Sequence, residues 1–256
     1  MNLSVNGPRK LFAIKTPWFD IVISQTAVSL TIITVALIII AAVISKRLKK
    51  RPGRFQVVVE KLVTMLYNLV TDTMGKHNAK FAPYIGTLFL SSVFGSLIGL
   101  THIFSSTTAD LSVTLAWALV TTGMVWYNNI KNFGFKSWLK GFTEPIVVMT
   151  PMNIVSEIAQ PISMAFRHFG NVAGGSVITA LVYSALALVT KLVLGWIPGF
   201  ISSIPFFQVG IPAFLSIYFD LFSGFVQALV FTLLTMVYVG GACPAPEDIN
   251  QNNENN

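Results

Sequence analysis

Four ionisable residues sit inside long apolar stretches of this sequence: Glu157, Arg167 and His168 in one, Asp220 in another. A charge placed at the centre of a bilayer is costly, so a residue of this kind marks function by default. Arg167 is the most informative of the four. Its guanidinium stays protonated at any accessible pH and presents five donors. Such a group cannot relay a proton. It supplies a fixed positive charge, suited to attracting and releasing a passing carboxylate. The plainer explanation is a permanent ion pair with Asp220 or Glu157 that locks two helices together.

Helical geometry groups further residues around this charge. At about 100° per residue, Gln160, Ser163, Arg167, Asn171 and Gly174 fall in one stripe, flanked by Gly170 and Ala173. Ser216, Asp220, Gly224 and Gln227 form a second stripe at the same spacing. Asp220 and Gln227 lie two turns apart, roughly 10 Å along the axis. Two such stripes on consecutive antiparallel helices suit the lining of a hydrated path. For Gly170 and Ala173, close packing of small residues is the simpler role. For Asn171 and Gln227 an interhelical hydrogen bond serves equally well. His168 points about 100° away from Arg167. It is either a titrating group in water or, slightly favoured, a neutral hydrogen-bonded core residue. Glu157 lies about 15 Å from Arg167 along the helix, in an inner aqueous vestibule or at the interface. His102 and Asp110 flank an outer loop, where Asp110 also suits a helix N-cap.

No enzyme site is apparent. HExxH, P-loop and GxSxG patterns are absent, and the three His residues lack metal-ligand spacing. The single cysteine, Cys243, excludes a disulfide framework and a Cys-based metal cluster. No cofactor is expected.

The elements that must position these residues are membrane helices. Of the 256 residues, 54% are hydrophobic and only 11% charged. Soluble domains carry about 25% charge, so this chain is expected to be polytopic and all-α. Apolar runs long enough for about 20 helical residues extend over 21–44, about 84–103, about 111–127, about 145–197 and about 211–239. None alternates as a strand would, and no internal repeat is visible. The long fourth run reads either as one steeply tilted helix or as two short crossings joined near Gly174-Gly175. The lack of a charged or Pro-rich turn favours one helix. That gives five spans, the last two forming a long tilted hairpin from about residue 145 within an ion-translocating region over 84–240.

Basic residues orient the chain. Lys46, Arg47, Lys49, Lys50, Arg51 and Arg54 follow the first span, which is a stop-transfer pattern and not that of a signal peptide. Of the 17 basic residues, twelve fall on the inner side of a five-span arrangement and four on the outer side. Residues 1–20 are then an external segment and the C-terminus is cytoplasmic. The net charge of +7 is thereby explained without a nucleic-acid partner. Residues 55–76 carry Val58, Leu62, Met65, Leu66, Leu69 and Val70 at helical spacing among polar residues. Two readings stand equally: an amphipathic helix on the cytoplasmic face, or a connecting helix packed on another subunit. The polar, Asn-rich stretch 244–256 is expected to be disordered.

The stretch Gln160-Pro-Ile-Ser-Met-Ala-Phe-Arg167-His-Phe-Gly-Asn171 resembles the signature of subunit a of the F-type ATP synthase, the stator half of a rotary membrane motor. Asp220 and Gln227, followed by Ala-Leu-Val-Phe-Thr-Leu-Leu-Thr-Met-Val-Tyr238, look like the family's last helix. Thr108-Ala-Asp110-Leu-Ser-Val-Thr-Leu115 is similar to its outer-loop motif. The likeness runs from about Arg51 to Val239. It implies one long tilted fourth helix in a hairpin with the fifth, and partners in the ring of subunit c and the peripheral-stalk subunit b. It also implies a bacterial plasma-membrane location and transport of H⁺ or Na⁺, with nucleotide chemistry on other subunits. Arg167 would be the essential stator arginine, with Asn171, Gln227 and the titratable position Asp220 near it. Many relatives carry an acid nine residues after the arginine. Here that position is Ser176, which leaves Asp220 as the outer relay acid. The competing readings are a stand-alone secondary transporter, disfavoured by the missing repeat, and a passive membrane anchor.

Overall fold

The computed structural model describes residues 10–15, 20–101, 106–144, 146–194, 214 and 217–245. Strands β1 (Lys10–Lys15) and β2 (Asp20–Ser24) pair antiparallel, with Lys15 opposite Asp20 and Lys10 opposite Ser24. Every other regular element is helical. The helices are α1 (Gln25–Lys46), α2 (Arg54–Met74), α3 (Ala82–Leu97), α4 (Leu111–Phe133), α5 (Phe135–Gly141), α6 (Thr150–Leu194) and α7 (Gly224–Gly241). The hairpin is an outcome that the sequence does not announce. Ile21, Val22 and Ile23 open the first apolar run, yet they pair with β1 and the helix starts at Gln25. A short β-branched run fits either state, and an available partner strand decides it.

Among the described residues three helical stretches are long and apolar enough to cross a membrane: Gln25–Lys46, Val147–Thr190 and Leu221–Gly241. The 16 residues of α3 cover about 24 Å at 1.5 Å per residue, short of a full crossing. Helix α6 is continuous over 45 residues, about 68 Å, although Pro161 removes one backbone donor in its interior. Gly174-Gly175 does not interrupt it, so the reading of two short crossings falls.

The chain divides into two compact units. One comprises the described parts of 1–32, 92–111 and 167–228, the other those of 33–91, 112–166 and 229–256. In the second, Val70 and Met74 of α2, Ala82 and Ile85 of α3, Val125 of α4, and Met236 and Val239 of α7 form a buried apolar cluster with Ala242. The last carbonyls of a helix need outside donors. Asn132 Nδ2 reaches the Ala242 carbonyl at 2.9 Å, while Asn78 Nδ2 and His77 Nε2 reach that of Cys243 at 2.8 Å. Asn78 also donates to the Met74 carbonyl at 2.9 Å, so one buried amide joins the end of α2 to the end of α7. The apolar face of α2 is only partly used. Val70 and Met74 are buried, whereas Val58, Leu62, Met65 and Leu69 are exposed. Both readings of this helix need such a face.

Candidate functional site

Arg167 is exposed on α6, and among the described residues it makes no ion pair. The single described salt bridge joins Lys140 and Glu144, both exposed. Of the two carboxylates that could lock it, Glu157 makes no ion pair with it, and the Asp220 side chain lies outside the described residues. One residue on, the 100° step turns His168 inward. It is fully buried, and its Nε2 lies 3.1 Å from Ser92 Oγ on α3. The ring also meets the backbone of Gln227. His168 is thus buried and hydrogen-bonded, at the inner end of a polar contact with α3.

Asn171, one turn beyond Arg167, makes a two-point clamp. Its Nδ2 donates to the Ser223 carbonyl at 3.2 Å, and Ser223 Oγ donates back to its Oδ1 at 2.9 Å. Ser223 closes a π-helical turn, Ile217–Ser223, that leads into α7 and contains Asp220. Turns of this kind are rare and recur at functional sites. The Asp220 side chain and Ser216 lie outside the described residues. Gln227 is buried on α7, and its Nε2 has no hydrogen-bond partner. An orphaned buried amide donor costs about 1–3 kcal/mol, so its retention asks for a ligand, a water or a neighbouring subunit. Ser176 is exposed and donates to the Ala173 carbonyl at 2.7 Å, a bond within its own helix.

A chain of hydroxyls accompanies these residues in the same unit. Thr26 Oγ1 donates to the buried Asp110 Oδ2 at 2.6 Å. Thr108 Oγ1 lies 3.0 Å from both Ser106 Oγ and Ser96 Oγ, and Ser96 donates to the Ser92 carbonyl at 3.1 Å. Ser92 then reaches His168. Asp110 sits just before α4, at the position of the expected N-cap; it is buried and accepts the Thr26 hydroxyl. His102 lies outside the described residues. The sequence marks Thr108 and Asp110 but gives little sign of Thr26, Ser92, Ser96 or Ser223. Their partners are distant in the chain, and only the i, i+4 spacing of Ser92 and Ser96 hints at a shared face.

Glu157 belongs to the other unit. The Trp126 indole donates to its Oε1, and it lines a cavity of about 520 Å³ with Asn129, Ser137, Glu144, Asn153 and Ser156. Among the described residues no group of His, Cys, Asp and Glu is arranged to hold a metal.

This constellation can hold one fixed cation at a helix surface beside a buried, hydroxyl-rich interior. The family described as ATP synthase A chain matches residues 27–240. The chain belongs to the ATP synthase subunit a family. It is 33% identical over 235 residues to the sodium ion specific ATP synthase subunit a of Propionigenium modestum, covering 86% of this chain and 74% of that one. It is 31% identical over 224 residues to ATP synthase subunit a 1 of Crocosphaera subtropica, covering 87% and 88%. Subunit a of Desulforamulus reducens is 33% identical over 220 residues, covering 85% and 79%. Members of this family are membrane components of the ATP synthase and not its catalytic part. The membrane class, the ion-transport role and the family read from the sequence all agree with these matches.

Proposed function

We propose that this subunit a is the ion-translocating stator of a rotary F-type ATP synthase, with Arg167 as the fixed charge facing a ring of subunit c carboxylates. The single observation that carries the reading is the exposure of Arg167, which makes no ion pair among the described residues, while its neighbour His168 is buried. A rotor carboxylate facing lipid is desolvated, so its neutral, ion-loaded form is favoured. Opposite Arg167 the positive charge favours the ionised form, and the ion departs. The same charge blocks a direct leak between the two aqueous half-channels. Each elementary charge crossing 100 mV releases about 2.3 kcal/mol, which over several ions drives rotation.

The inner half-channel would use the cavity at Glu157. The outer one would follow Asp110, Thr108, Ser96, Ser92 and His168 toward Asp220, Asn171 and Gln227. Hydroxyls both donate and accept, so they can pass a proton or coordinate Na⁺. This route dispenses with an acid at Ser176. The orphaned Nε2 of Gln227 supports it, because a passing ion's water or a rotor carboxylate would satisfy that donor. Five spans, an external N-terminus, a cytoplasmic C-terminus, a tilted α6–α7 hairpin and contact with subunit b complete the proposal. A helix of about 68 Å exceeds a hydrocarbon core of about 30 Å, which supports tilt. No observation favours a stand-alone transporter.

The test is Arg167→Ala in the assembled complex. ATP-driven ion pumping into inverted vesicles should be abolished while assembly persists. Normal coupled pumping by that variant would refute the assignment. Pumping at varied Na⁺ and pH separates the two candidate ions, one of which is named for the Propionigenium modestum relative.

A further inference from the structure

An apolar groove of about 860 Å³ runs along the flank of α1, walled by Leu37, Ile38, Ala41 and Ile44, and closed by Val63 of α2 and Leu90 of α3. It extends from Thr34 to Leu48, about 21 Å along the helix axis. That length is a little more than one leaflet's share of a hydrocarbon core about 30 Å thick. The end at Leu48 is strongly basic: Lys46, Arg47, Lys49, Lys50, Arg51 and Arg54 are all exposed there. The linker bearing these charges is held in place. Gln56 Oε1 accepts the Lys49 N–H at 3.0 Å, and Gln56 Nε2 donates to the Lys49 carbonyl at 3.0 Å. The same amide donates to Glu60 at 2.7 Å, so the one carboxylate lining the groove is already engaged.

We propose that this groove binds an anionic phospholipid, with an acyl chain against Ala41 and the phosphate held by the basic linker. The observation that selects a lipid is the combination of a leaflet-deep apolar wall with six cations at its polar end. A polybasic segment next to a membrane helix, beside a cleft between helices, is suited to an anionic headgroup. An uncharged headgroup would gain nothing from this linker. The site is separate from Arg167 and does not depend on the proposed stator role.

The full chain, purified in detergent, is mixed with equimolar phosphatidylglycerol and phosphatidylcholine of matched acyl chains, and retained lipid is read by native mass spectrometry. Phosphatidylglycerol should be favoured by about fivefold for each basic residue that engages it. The preference should vanish in the K46Q/R47Q/K49Q/K50Q/R51Q/R54Q variant. Ala41→Phe, or Leu37→Trp where the first fails to fold, should reduce retention of both lipids. Equal retention of the two lipids by the unmodified chain would overturn the proposal. So would a preference that survives the six substitutions, or unchanged retention in the groove-filling variant. A photo-crosslinker at Ala41 in the assembled complex should capture phospholipid. Capture of a polypeptide there would show that a partner helix fills the groove, and would equally overturn the proposal.

Discussion

One helical step separates two opposite fates on α6. Arg167 is exposed and makes no ion pair among the described residues, while His168 is buried against Ser92. In the proposed mechanism Arg167 is kept available for a rotor carboxylate, whereas Asn171 is engaged within its own chain. The Asn171–Ser223 clamp predicts non-additivity. In a double-mutant cycle of Asn171→Ala and Ser223→Ala, read by SDS unfolding of the reconstituted chain, the coupling should be about 0.6 kcal/mol. Simple additivity would remove the clamp as an energetic link. Cys243 makes a second residue-scale prediction. Burial pushes its thiol above the usual range, so it stays protonated at neutral pH and should react with maleimide far more slowly than a cysteine placed at exposed Lys50. At this scale the sequence shows which residues are costly, because an ionisable group among apolar neighbours is visible without a structure. It does not show the partners. Ser92, Ser223 and Trp126 are ordinary residues until folding brings them to His168, Asn171 and Glu157.

Glycines at element boundaries set where the helices stop. Gly75 ends α2 with φ 84° and Gly134 separates α4 from α5 with φ 82°, a region that costs other residues roughly 1–2 kcal/mol. Gly134→Ala meets open space and should cost about that much in a thermal or detergent melt. Gly75→Ala should cost more, because its new methyl group would also press on the His77 ring. Equal costs would show that the ring yields freely. Gly95 plays a different part. A Cβ there would overlap Thr107 Oγ1, a buried hydroxyl with no partner of its own. Gly95→Ala should destabilise the fold by about 1–3 kcal/mol and impair ion flux by moving Thr107 and Thr108 off α3. Wild-type flux would detach the hydroxyl chain from the path. The elements themselves were legible where one signal dominated. A single α6 followed from the lack of a charged or Pro-rich turn in a long apolar run and from the family resemblance, and α2 from its 3.6-residue period. The β hairpin was hidden because Ile21–Ile23 looks the same at the start of a helix or in a strand.

The whole molecule is organised by where charge is tolerated. Its low charge content and clustered basic residues identified a membrane protein before any motif was considered, since 11% charge cannot clothe a soluble surface of this size. The number of crossings is less direct, because α3 is short and, among the described residues, three stretches are long and apolar enough alone. The proposed orientation rests on the basic linker. In a Cys243→Ser background, Lys50→Cys should be labelled by an impermeant maleimide in inverted vesicles and not in intact cells. Labelling from outside would invert the proposed topology. The most direct measurement of the stator reading is disulfide cross-linking in the assembled complex, with a cysteine scan of subunit c. On α6, Gly170→Cys lies on the exposed side near Arg167, and Val172→Cys is buried. The account predicts that the cysteine at 170 joins subunit c and the one at 172 does not. If position 170 never reaches subunit c in an intact, assembled complex, Arg167 does not face the rotor.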